Sequence, residues 1–263
     1  MKSKSELFNA DLRHAERYRE SYPINKPKDS SNRILTLLDP KDLASLRPYL
    51  EAVTLEYRQP LYGPDHPITH VWFIESGVAS LVKVMINGDA SEVGTIGNEG
   101  IVGIPLFLQD DRAPTSVYMQ VPGSGFQMSA VNFLNACRQN ADLRKILSRY
   151  THAFFNQVAQ SAACNHYHNI KQRTCRWLLM TRDRMHDDTF LLTQEFLAMM
   201  LGVRRSGVSA AASELQDEGI ISYSRGVITI RDRERLERGA CECYADTVEE
   251  FDRFLGKVDP VIA

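Results

Sequence analysis

The chain has 263 residues, 43% hydrophobic and 24% charged, with a formal net charge of −2. That is enough apolar material for a core in one or two domains, with a charge content close to the globular average. No run of about 18 apolar residues is present, so a membrane span is not expected. The N-terminus lacks the apolar stretch of a signal peptide, and five cysteines, an odd number, read as free thiols in a reducing cytoplasm. The charge is unevenly spread. Residues 170–238 carry 12 positive and 10 negative side chains, residues 1–169 balance at 17 and 17, and residues 239–263 carry 2 and 6. The mildly basic third is compatible with phosphate contact.

In chain order, residues 1–32 are polar and interrupted by Pro23 and Pro27, and read as a surface extension. Leu7, Phe8, Leu12 and Ala15 could line one face of a short helix there. Residues 33–131 have β texture. Asp39 followed by Pro40 predicts a helix start, with Asp39 as N-cap and Pro40 at the first helical position. Short apolar runs follow at Val71 to Ile74, Val78 to Ile86, Val93 to Ile96 and Thr115 to Val121, with glycines 77, 94, 97, 100 and 103 as turn markers. Asn87-Gly88 is a strong hairpin signal, because a type I′ turn needs positive φ at both central positions. The pattern predicts an antiparallel sandwich or barrel.

From Asn132 the period becomes helical. Leu143, Leu147, Tyr150, Phe154 and Val158 are spaced 4, 3, 4 and 4, one apolar stripe over five turns. Spacing alone leaves two readings: a core helix along the β domain, or a helix paired with its own copy in a dimer. Residues 164–169 are polar and read as a break between helices. A second amphipathic helix then runs from Lys171 to Met185, with Trp177, Leu178 and Leu179 inward.

The segment from Thr193 to Ile230 carries the chemistry. Thr193 is a helix N-cap with Glu195 behind it. Phe196, Leu197, Met200 and Leu201 form an apolar face, Ala198 permits a close helix crossing, and Gly202 suits a tight turn plugged by Val203. A second helix is expected over about residues 205–218, with Val208, Ala211, Ala212 and Leu215 as its buried stripe. Its outward face is slim (Ser206, Ser209, Ala210, Ser213) and is led by Arg204 and Arg205. A helix entering the major groove needs such a face. Two short strands around Ser224-Arg225-Gly226 then form a wing. This is a winged helix-turn-helix, and the expected DNA contacts are Thr193, Gln194, Arg204, Arg205, Ser206, Ser209, Ser213 and Arg225.

The order of β domain, long helix, second helix and winged helix-turn-helix resembles the Crp/Fnr family of bacterial transcription regulators over about residues 34–238. The resemblance is strongest in Phe73-Ile-Glu-Ser-Gly77, in Val93-Gly-Thr-Ile-Gly-Asn-Glu-Gly100 and in the helix-turn-helix. It implies an α+β architecture: an N-terminal antiparallel β-roll (a cyclic-nucleotide-binding-like jelly roll), a long dimerisation helix, and a C-terminal winged helix-turn-helix. The domains then fall at 33–131, 132–164 and 165–238, with an extension (1–32) and a tail (239–263). The resemblance turns the stripe Leu143, Leu147, Tyr150, Phe154 and Val158 toward a homodimer interface. It implies double-stranded DNA with a roughly palindromic site as partner, and RNA polymerase if the protein activates.

Two departures from the family pattern matter. Relatives that bind cyclic AMP carry a glutamate for the ribose hydroxyl and an arginine for the phosphate. The matching positions here are Gly103-Ile104 and Arg112-Ala113, and Ile104 cannot accept a hydrogen bond. Gly103, Ile104, Arg112 and Ala113 are the candidate effector pocket, but a cyclic AMP response is not expected and the effector is unidentified. Relatives that read TGTGA-like half-sites often carry Arg-Glu-x-x-x-Arg, where this chain has Arg205-Ser206 and, four residues on, Ala210, so a different operator is expected. The family's N-terminal iron–sulfur cysteines have no counterpart, since the first cysteine is Cys137. Cys164, His166 and His168 read as a hinge rather than a metal site, and Cys241 and Cys243 as unpaired thiols beside a peripheral amphipathic helix. No cofactor, no metal and no catalytic constellation are expected.

Overall fold

A computed structural model describes residues 14–87 and 89–257. Six antiparallel strands build the N-terminal domain: β1 (Glu51–Leu55), β2 (Pro60–Tyr62), β3 (His70–Val84), β4 (Ala90–Ile96), β5 (Ile101–Val102) and β6 (Ser116–Ser129). Their order is β1-β6-β3-β4, with β2 on β6 and β5 on β3. The two runs Val71 to Ile74 and Val78 to Ile86 belong to one long strand up to Val84, not two, and Met85 and Ile86 lie in the turn that follows. Gly77, at φ +97°, marks an irregularity where β3 shifts register against β6, rather than a turn. A Cβ there, or on Gly123 opposite, would collide with backbone, so the crossing requires glycine on both strands. The β3–β4 hairpin forms where Asn87 predicts it, closed by Met85 N donating to Asp89 O; Gly88 lies outside the described residues.

Helices α2 (Arg33–Thr36) and α3 (Pro40–Leu46) precede the sheet, and Asp39 caps α3 through Lys41 N as expected. The short helix α4 (Ile104–Phe107) follows β5. After β6 come α5 (Ala130–Gln139) and α6 (Ala141–Tyr167), divided at Asn140, whose side chain caps α6 through Leu143 N. Here two expectations are corrected. The break after α6 falls at His168 and Asn169, so Cys164 lies within the helix. Asn169 caps α7 (Ile170–Met185) with a reciprocal Gln172 hydrogen bond. The stripe assigned to a dimer interface faces the chain's own core: Leu143, Leu147 and Tyr150 are fully buried, and Phe154 and Val158 lie against Gly94 of β4. Buried Gln157 fastens the same face by donating to Thr95 O and accepting from Thr95 N, at 3.1 and 3.2 Å.

The termini are also more integrated than their polarity implies. Leu7, Phe8 and Leu12 lie outside the described residues. Helix α1 (residues 14–21) buries Tyr18 beside Tyr57 of the β-roll and Leu191 of the C-terminal domain. Asn32 is fully buried and donates to Ile74 O and Gly100 O, while Ser30 and Ser31 bind the Glu75 carboxylate. The tail forms α11 (Cys243–Leu255), which packs along α6 and puts Phe251 and Leu255 into the N-terminal core. The expected boundary at residue 239 therefore does not detach a peripheral tail.

Candidate nucleic-acid interface

The C-terminal domain is built on α7, with α8 (Gln194–Leu201), α9 (Arg205–Asp217), α10 (Arg233–Gly239) and a three-stranded sheet β7-β9-β8. Strands β8 (Ile221–Ser224) and β9 (Val227–Ile230) are the expected wing. Strand β7 (Thr189–Leu191) was not legible, since three residues give no usable period. Thr193 caps α8 through Phe196 N, and Gly202 makes the turn at φ +61°. Val208, Ala211, Ala212 and Leu215 are all buried, as expected, and Val208 and Leu215 join Trp177, Leu178, Leu179, Phe196 and Leu197 in one core. Lys171 fixes α9 on α7 through Glu214 and Glu218 at 2.6 and 2.7 Å.

On the other side of α9, Arg204, Arg205, Ser206, Ala210 and Ser213 are exposed. Among the described residues no side chain caps the first turn of α9, so its amide hydrogens and the positive end of the helix dipole are open at the helix start that Arg204 and Arg205 form. That is an anion-binding end on a slim helix. Ser209 is half-buried and donates to the Gln194 side chain at 2.7 Å, which orients both at the rim of this face. The wing tip is a tight turn with positive φ at Arg225 (52°) and Gly226 (81°), leaving Arg225 exposed. Thr193 is corrected as a contact: it is 7% exposed and its hydroxyl is committed to the cap.

In the β-roll, Gly103 is left-handed at φ +114° and starts α4 at Ile104, which packs on the core. Ala113 is buried, but Arg112 points outward, held by Asp65 O at 2.7 Å, with its side chain 56% exposed. The four expected pocket residues thus lie on one segment, with Ile104 and Ala113 turned to the core and Arg112 exposed. Tyr150 of α6 is buried against Gly100, where a Cβ would meet its ring.

Two family models match the sequence: the cyclic nucleotide-binding domain over residues 52–140 and the Crp-like helix-turn-helix domain over residues 172–239. The chain belongs to the Crp/Fnr family. It is a transcription regulator of that type, with a helix-turn-helix DNA-binding domain. Solved structures share its fold. FixK2 from Bradyrhizobium japonicum is 16% identical, with 73% of this chain and 98% of that chain covered and a TM-score of 0.62. A CRP-family transcriptional regulator from Thermus thermophilus, TTHB099, is 15% identical, with 72% and 96% covered and a TM-score of 0.61. The c-di-GMP responsive regulator CLP from Xanthomonas campestris is 14% identical, with 73% and 99% covered and a TM-score of 0.54. A search of curated protein sequences gives no match. Among the described residues no helix is long and apolar enough to cross a membrane.

In this Crp/Fnr regulator the two domains are joined by buried charge. Glu99, in the turn after β4, accepts from Arg184 of α7 at 2.7 and 3.0 Å and from Gly97 N at 3.1 Å, with both side chains 7% exposed. Burial opposes ionisation of Glu99, but the Arg184 charge and its hydrogen bonds outweigh it and hold the carboxyl below its ordinary range. The Gly97 position leaves room for the Arg184 stem, which a Cβ would strike. Sequence reading missed this pair because nothing local links positions 99 and 184. Val78 and Val121 of the β-roll join the C-terminal core beside it.

Glu92 of β4 accepts from Ser80 Oγ at 2.5 Å and lines a cavity of about 40 Å³ between the domains, with Arg173, Arg176 and Trp177. Burial is the dominant influence and pushes this carboxyl up to about 7; the Ser80 hydrogen bond and the nearby arginine charges pull the other way. A folded-state value above the ordinary 4.5 means that folding favours the protonated form. The contribution of Glu92 is therefore fully present below pH 4.5 and is lost as pH rises through about 7. Glu92→Gln removes that fall. Urea unfolding at a series of pH values checks it, and an unchanged slope in the variant would refute it.

Proposed function

We propose that the protein acts as a homodimer on a roughly palindromic operator, with the two α9 helices reading half-sites about 34 Å apart. The observation that carries this is the exposed α9 face, led by Arg204 and Arg205 over an uncapped helix start. Arg205→Ala should weaken operator binding by about 1–3 kcal/mol, with discrimination lost at one base position, if the guanidinium is bidentate to guanine. Equal loss on operator and random DNA would make it a phosphate contact. Selection of bound DNA from a random pool tests the reading as a whole; no enriched sequence would overturn it and revive a ligand-binding protein or enzyme with an incidental helix-turn-helix.

The dimer surface that fits is the outward side of α6. Ser148, Phe155, Ala159, Ala162 and His166 are exposed and spaced 7, 4, 3 and 4, a stripe opposite the core-facing one. Phe155 is 67% exposed at its centre, flanked by small residues that permit close helix approach. If the regulator activates, RNA polymerase is its further partner.

Cyclic AMP at micromolar concentration should not bind. Ile104 offers no acceptor, Arg112 is turned to solvent, and Tyr150 occupies the space beside Gly100. A saturable calorimetric titration would overturn this. The same observations favour a second reading, in which the protein binds DNA constitutively and the β-roll is only a dimerisation scaffold. A footprint that small molecules leave unchanged would favour that reading over an effector-gated one.

A further inference from the structure

Two polar clusters far apart in the chain form one constellation. Cys164 lies in the last turn of α6 and His168 is its C-cap; Cys241 lies between α10 and α11, and Cys243 is the first residue of α11. Their four ligand atoms all lie within 4.8 Å of one another. Cys164 Sγ is 3.6 Å from Cys241 Sγ, and Cys243 Sγ is 3.4 Å from His168 Nδ1. His166 takes no part.

We propose that Cys164, His168, Cys241 and Cys243 bind a single Zn²⁺ ion in a tetrahedral Cys₃His site that clasps the two ends of the DNA-binding domain. Bonds of about 2.3 Å to sulfur and about 2.0 Å to nitrogen place neighbouring tetrahedral ligands roughly 3.5–3.8 Å apart. The Cys164–Cys241 and Cys243–His168 pairs, at 3.6 and 3.4 Å, are close to that spacing, and the widest separation, within 4.8 Å, needs only a side-chain adjustment of about 1 Å to close on the ion. An iron–sulfur cluster holds its cysteines on different irons, farther apart than four mutually adjacent ligand atoms. The three thiols are buried, as a closed structural site requires. With Nδ1 toward the sulfurs, His168 Nε2 faces the Glu242 carboxylate at 3.2 Å, the arrangement that fixes the ring of a metal-bound histidine. Three thiolates and Zn²⁺ leave one negative charge, and Arg173 and Arg176 act electrostatically on this cluster.

The position gives the ion its role. Cys164 and His168 precede the whole helix-turn-helix domain, whereas Cys241 and Cys243 follow it. One ion therefore ties the hinge between α6 and α7 to the start of α11, which packs back on α6. Closing a loop of that length restrains the orientation of α9 relative to the β-roll.

The test is elemental analysis of the full-length protein purified without chelators, followed by Co²⁺ exchange. One zinc per chain is expected, and Co²⁺ should give the intense visible spectrum of a tetrahedral thiolate site. Cys243→Ser and His168→Ala should lower the stoichiometry or weaken retention against a chelator at least tenfold, while Cys137→Ser changes neither. Metal-free protein in which Co²⁺ stays octahedral would overturn the proposal. So would iron with inorganic sulfide, or a Cys164–Cys241 disulfide in a thiol count under native conditions. The wild-type Co²⁺ spectrum keeps the test decisive if a variant fails to fold.

Discussion

Arg184→Ala should destabilise the protein by about 3–5 kcal/mol, because it leaves the Glu99 carboxylate buried without its partner. The expectation does not rest on the pair's net worth, which desolvation largely cancels. It rests on the asymmetry between removing one charge and removing both. The double variant Glu99→Gln, Arg184→Met keeps similar volumes and should recover most of the loss. Acid sensitivity separates the two forms. With Glu99 held below its ordinary value by Arg184, its contribution is present above 4.5 and is lost as pH falls through the lower folded-state value. The wild type should therefore lose this increment on acidification, and the double variant should not. Urea unfolding at pH 7 and in acid measures both, and a loss below about 1 kcal/mol in the single variant would show the pair to be solvated. Because Glu99 and Arg184 lie on different domains, the variant should also loosen the C-terminal domain on the β-roll.

Phe155→Asp should convert the proposed homodimer to monomer at micromolar concentration. A two-fold axis presents the change twice, and each phenylalanine returned to water forfeits about 1.5–3 kcal/mol, so the dissociation constant should rise at least about 100-fold. Half-site contacts would remain, but operator affinity should fall with the dimer. Leu147→Ala is the informative contrast. Leu147 is fully buried within its own chain, so its truncation should cost about 2–5 kcal/mol of folding stability and leave the dimer constant unchanged. Sedimentation and unfolding measured on both variants distinguish the two faces of α6. A Phe155→Asp protein that stays dimeric would place the interface elsewhere.

The two faces also show what periodicity can and cannot say. A stripe at Leu143, Leu147, Tyr150, Phe154 and Val158 establishes that this side of the helix is buried, because only burial favours apolar residues at that spacing. It does not name the covering surface. The partner is the chain's own sheet, and Gly94 and Gly100 make the room for it. The opposite stripe, with alanines and one phenylalanine, gives no such sign because small residues carry little hydrophobic signal. Gly77 is ambiguous in sequence for a related reason. Glycine signals unusual backbone, and only the pairing of β3 with β6 decides between a turn and a bulge.

The winged helix-turn-helix was legible by itself. Cap, turn glycine, buried stripe and wing are interactions between residues a few positions apart, so their spacing is written in the chain. The same holds for the slim, arginine-led face of α9, whereas Ile104 in place of an acceptor is legible only through the family resemblance. What the tertiary structure decided were the contacts whose cost and gain are spread over long loops. These are Glu99 with Arg184, Tyr18 bridging both domains, and Cys164 meeting Cys241 across 77 positions. No local period records such meetings, because each is set by how the helices pack rather than by the residues beside it.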